Sequence, residues 1–70
     1  MQAPTVNIKN RLSEMGRTVG WFHRQLELVT GRKINRATVY KWLDNSRSMP
    51  FYAVTASTTV LGMNLRDLLA

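Results

Sequence analysis

Asn35, Arg36, Thr38, Tyr40 and Lys41 put hydrogen-bonding side chains close together near the middle of the chain. Ile34, Val39, Trp42 and Leu43 are interleaved with them at the three/four spacing that collects apolar residues on one face of a helix. The polar residues and Asp44 then share the other face. The hydroxyl run Ser57-Thr58-Thr59 has no His, Asp or Cys at a spacing that would activate it, so the chemistry on offer is recognition rather than bond-making. A short helix with such an outer face can lie in a DNA major groove, where Arg, Lys and Asn bond base edges.

The same stretch carries its own start and stop. Asn35 can cap the first turn with its side-chain oxygen. Asn45 tolerates the left-handed conformation that ends helices. The spacing predicts a helix over about 36–44, held inside by Val39 and Trp42.

Other segments must frame that helix. Residues 1–5 read as a loose lead-in, with Pro4 suited to a helix start and Thr5 or Asn7 as candidate caps. Ile8, Leu12 and Met15 form one stripe, so helix 1 runs from about 6 to 15 and stops at Gly16. Thr18 caps helix 2, from about 19 to 30. Its stripe is Val19, Phe22, Leu26 and Val29, widened by Trp21 and Leu28, with His23, Arg24, Gln25 and Glu27 outward. Gly31 closes it. Gly31-Arg32-Lys33 is a tight basic connection, and residues 45–50 are a loop.

Residues 51–61 are rich in β-formers and could be a strand. Apolar residues at 51, 54 and 61, with small ones at 53 and 56, favour a closely packed helix opened by Pro50. After Gly62, Asn64 caps a last short helix, 65–69. Five short helices with short connections make a compact all-α bundle, one domain over residues 1–70.

Composition narrows the function. Ten Lys/Arg against four Asp/Glu give a net charge of +6 and a pI near 10.9, the footprint of nucleic-acid binding. A solvated surface would carry the same charge. Placement separates the two, because Arg24, Arg32, Lys33, Arg36, Lys41 and Arg47 crowd the central stretch against only Glu27 and Asp44. Cysteine is absent and His23 is the single histidine, so neither disulfides nor a metal or other cofactor is expected. Four acids, one His and no phosphate-binding glycine loop argue against an enzyme and a small-molecule substrate. No apolar run approaches a membrane span. Met1-Gln2-Ala3-Pro4-Thr5 has none of the regions of a signal peptide, which predicts a cytoplasmic location.

Helix 2, the glycine turn and helix 3 read together as a helix-turn-helix, in which the second helix enters the major groove while the first crosses the backbone. Leu26, Val29, Ile34, Val39 and Trp42 would form its shared hinge core. Arg36, Tyr40 and Lys41 would bond base edges, with Asn35 and Thr38 assisting. A generic helical hairpin with a cationic face has the same periodicity.

Ile34-Asn35-Arg36-Ala37-Thr38-Val39-Tyr40-Lys41-Trp42 resembles the second helix of the lambda-repressor/Cro-like (XRE-type) helix-turn-helix family. There the pattern runs hydrophobe, Ser/Asn, Arg, small, Thr, Ile/Val, any, Arg/Lys, Trp. Leu61-Gly62-Met63-Asn64-Leu65-Arg66-Asp67-Leu68-Leu69 is similar to the family's closing segment. Met49-Pro50 falls where a proline often opens its fourth helix. The resemblance spans about residues 7–69. It departs in two places. Glu27 stands where the family usually has a small residue, and the turn is about two residues longer. Either the helices cross differently or the longer turn lets Glu27 point to solvent.

The resemblance implies that Arg36, Tyr40 and Lys41 face bases, and that Asn35 and Thr38 touch bases or nearby phosphates. It implies phosphate contacts, which position without reading sequence, for Arg24, Gln25, Lys33, Ser46 and Arg47. A bare domain of this kind looks like a phage or plasmid Cro-like repressor that occupies a palindromic operator as a homodimer. The dimer surface would be the apolar end of helices 4 and 5, with Phe51, Tyr52, Leu65, Leu68 and Leu69 as candidates. The rival reading is a small basic interaction module (adaptor, antitoxin or inhibitor) for an acidic protein. Salt-dependent binding to duplex DNA separates the two.

Overall fold

Apolar residues recurring at helical spacing make successive segments one-sided, and burying those sides folds the chain. A computed structural model describes residues 4–69. They form α1 (Pro4–Met15), α2 (Val19–Thr30), α3 (Arg36–Leu43), α4 (Phe51–Leu61) and α5 (Leu65–Leu69), with no strand among the described residues. The all-α class and the five elements are as expected. α2 packs mainly on α4, α1 touches α3, α4 and α5, and α3 rests on α1 and α2. Ile8, Leu12, Phe22, Leu26, Val39, Trp42, Leu43, Ala53, Leu61 and Leu68 make one shared core.

Pro4 and Thr5, expected in a loose lead-in, already belong to α1; residues 1–3 lie outside the described residues. Thr5 and Asn7 do not cap the helix. Thr5 is buried inside it and its hydroxyl donates to Asn45 Oδ1 at 2.7 Å. Asn7 Nδ2 donates to the Leu68 carbonyl at 2.7 Å, tying α1 to α5. The caps expected at Thr18 and Asn64 do form: Thr18 Oγ1 accepts the Trp21 N–H and Asn64 Oδ1 the Asp67 N–H.

α4 is a helix despite its β-forming residues: it buries Ala53, Val54, Ala56, Ser57 and Leu61 on one side, and its Thr55, Ser57 and Thr58 hydroxyls find partners on the helix itself. Thr55 donates to the Phe51 and Tyr52 carbonyls, Ser57 to Ala53 and Thr58 to Thr55. Ser57 is thereby fully buried without an orphaned polar atom. Pro50 does not occupy the first helical turn. It precedes the helix in extended backbone, and its carbonyl accepts from Ala53 and Val54.

Several apolar residues turn out differently. Val29 is 45% exposed and does not belong to the hinge core, and Leu28 is 70% exposed. Both sit near the C-terminal end of α2, where Val29 lines an open groove with Tyr52, Thr55, Ala56 and Thr59 of α4. Phe51 is also outside, 71% exposed, so the buried face of α4 is carried by Ala53, Val54, Ser57 and Leu61. Among the dimer candidates, Leu68 is wholly buried in the protein's own core and is unavailable for association. Tyr52 is half-buried beneath the Arg32 guanidinium, 4.4 Å from its ring centre, a cation–π contact that covers it from within. The Leu69 side chain lies outside the described residues.

Candidate nucleic-acid interface

α3 is positioned from both ends and from beneath. At its start Asn35 is extended, and its Oδ1 accepts the Ala37 N–H at 2.8 Å. At its end Asn45 is left-handed with φ 65°. The Ser46 N–H reaches the Lys41 carbonyl and the Asn45 N–H the Trp42 carbonyl, the paired bonds of a Schellman stop. Beneath, Val39, Trp42 and Leu43 are buried, and Leu26 and Ile34 complete the small core that α2 and α3 share.

With that face fixed inward, helical geometry decides what points out. Arg36 and Tyr40 form one exposed row; Ala37, Lys41 and Asp44 form the next. Tyr40 is 49% exposed although aromatic. Thr38 sits half-buried at the border. Asn35 is exposed, but its side-chain oxygen is engaged as the cap, which leaves its amide N–H groups to donate. Of the residues expected at phosphates, Arg24, Lys33, Ser46 and Arg47 are exposed and Gln25 is half-buried. Lys33 lies just before α3 and Ser46 and Arg47 just after it, so they flank the outward rows.

The face also holds residues that the periodicity did not single out. Ala37 stands between Arg36 and Lys41 on the exposed surface, a methyl of the kind that meets a thymine methyl in a groove. Lys9 on α1 acts electrostatically on Asp44, as Lys41 does. It extends the cationic surface from α3 to α1, across a distance in sequence that no local pattern reveals. Asp44 is the acid within this surface. The Ser46 hydroxyl and backbone N–H, and then the charges of Lys9 and Lys41, hold its carboxyl below the ordinary aspartate value despite slight desolvation. The Ser46 N–H lies 2.8 Å from Asp44 Oδ1.

The turn between α2 and α3 departs from expectation. Glu27 does not point to solvent. Its Oε2 accepts the Ile34 N–H at 2.9 Å. His23, one helical turn earlier, is not outward either: its Nε2 lies 2.6 Å from the Ile34 carbonyl and 3.8 Å from Glu27 Oε2. Backbone groups in the turn need partners, and the Glu27 carboxylate supplies one. No group of three His, Asp or Glu side chains converges on a metal-sized site among the described residues, and no helix there is long and apolar enough to cross a membrane.

A comparison with protein-family models finds no match, and comparisons with curated proteins and with solved structures find none either.

Proposed function

We propose that the chain is a sequence-specific regulator that binds double-stranded DNA, a Cro-like repressor working in the cytoplasm. α2, the turn and α3 act as its helix-turn-helix. The observation that carries this reading is the division of α3: Val39, Trp42 and Leu43 are buried, while Arg36, Tyr40 and Lys41 stand exposed between Lys33 and Arg47. A net charge of +6 supplies the attraction to phosphate. Arg36 and Lys41 donate to base edges, Tyr40 and the Asn35 amide add contacts, and Thr38 contributes from the border. Arg24, Gln25, Lys33, Ser46 and Arg47 fix the register on the backbone. One domain of this size makes few base contacts, so two copies act together on a palindromic operator.

The test is selection from a pool of random duplexes at two salt concentrations, followed by affinity measurements on the enriched site. Arg36→Ala with Lys41→Ala should abolish the preference for that site, each removed side chain costing about 1–3 kcal/mol of base recognition. Arg47→Ala should weaken all sequences alike and lower the salt slope by about 0.9. No enriched sequence, or the same sequence selected equally well by the double variant, overturns the proposal.

A further inference from the structure

Ile34 is the last residue before the Asn35 cap, so the orientation of its peptide groups sets where α3 begins and how Asn35 and Arg36 are presented. Both of its backbone polar groups are taken by side chains from a single helix. The Glu27 carboxylate accepts its N–H at 2.9 Å, and His23 Nε2 meets its carbonyl at 2.6 Å. A carbonyl only accepts, so Nε2 carries the hydrogen. The two side chains lie one turn apart on α2 and 3.8 Å from each other, 14% and 30% exposed. Ile34 itself is buried at 7% exposure, so its side chain is fixed in the core while its backbone is gripped from the side.

From this we infer that His23 and Glu27 are positioning residues for α3: they clamp the Ile34 peptide and so set the register at which Asn35 and Arg36 meet a base edge. This rests on the DNA-binding reading of α3. The clamp touches no DNA, yet a tilt of the first turn displaces the reading groups together. Contacts to phosphate from flexible Lys and Arg side chains tolerate such a tilt far better than two-pronged contacts to a base.

The experiment compares Glu27→Ala, Glu27→Asp and Glu27→Gln with the wild type in affinity for the enriched duplex and for a scrambled duplex. Thermal unfolding checks that each variant folds. Alanine and glutamine remove the same negative charge, so the difference between them isolates the hydrogen bond. Glutamine keeps an oxygen that accepts the Ile34 N–H. Aspartate keeps the charge but falls one methylene short, and it carries the comparison if the alanine variant does not fold. The ratio of specific to scrambled affinity should fall about tenfold in Glu27→Ala and Glu27→Asp, the change that goes with removing one hydrogen bond to a charged group, and stay near wild type in Glu27→Gln. His23→Gln, which retains a donor near the Nε2 position, should likewise outperform His23→Ala. If the wild type prefers its site but alanine and glutamine behave alike at both positions, the clamp does not position α3 and the DNA-binding reading stands. If the wild type prefers no sequence, that reading fails and takes the clamp's role with it.

Discussion

The Thr5 hydroxyl donates to Asn45 Oδ1 at 2.7 Å and so joins the start of α1 to the turn that ends α3. Asn45 serves two ends at once, because its backbone is left-handed while its side chain accepts this bond. The two roles can be separated. Asn45→Gly keeps the easy left-handed backbone and removes the bond, at about 1 kcal/mol. Asn45→Ala removes both, at about 1–2 kcal/mol more. Thr5→Val removes the donor from a buried site, again at about 1 kcal/mol. In urea unfolding, Thr5→Val combined with Asn45→Gly should cost less than the two single changes added together, since the shared bond can be broken only once. Full additivity would mean that the bond contributes nothing.

Asp44 gives the fold an acid-sensitive point. Its carboxyl is held below the ordinary value of 3.8, first by the Ser46 hydroxyl and N–H and then by Lys9 and Lys41. A depressed folded value makes the ionised form the stabilising one. The contribution is therefore complete above the unfolded value and disappears as pH falls through the folded one. The stability gap between wild type and Asp44→Asn should be present near neutral pH, shrink below about 3.8 and close in stronger acid. Unfolding curves measured from near-neutral pH into strong acid read this directly, and a gap that does not change with pH would show that ionisation of Asp44 plays no part.

Helix periods in this chain are strong where one residue serves one purpose. Ile8 and Leu12, and likewise Val39, Trp42 and Leu43, are apolar, regularly spaced and buried, so α1 and α3 and the outward side of α3 can be read from the sequence. Val29 and Phe51 keep the same spacing but stay exposed, Val29 at the edge of the open groove between α2 and α4. Periodicity tells which way a residue points, and only tertiary packing tells whether anything lies there. His23 and Glu27 fail for another reason. Polar residues on a helix read as outward, and a backbone peptide in need of partners leaves no mark on a sequence. The pattern that this segment resembles has a small residue at this position, so Glu27 stands out against it. Its use as an acceptor depends on the turn bringing the Ile34 N–H within reach.

Two-fold association is the remaining prediction, and exposure narrows where it can occur. Leu68 belongs to the core and Tyr52 lies under Arg32, which leaves, among the described side chains, Phe51, 71% exposed, and Leu65, 37% exposed, from the surface expected on α4 and α5. Exposed positions contribute little to the fold of a single copy, so Phe51→Ser should change its stability by no more than about 0.5 kcal/mol. An aromatic ring at the centre of an interface would contribute more than about 2 kcal/mol, and its removal would weaken association by well over tenfold. Sedimentation across a range of concentrations, with and without the enriched duplex, should therefore show wild type pairing on DNA. Phe51→Ser should fold normally but occupy half-sites independently. Wild type that stays single on DNA, or a Phe51→Ser variant that pairs as well as wild type, would remove this surface from the account and leave operator binding to be explained by single copies.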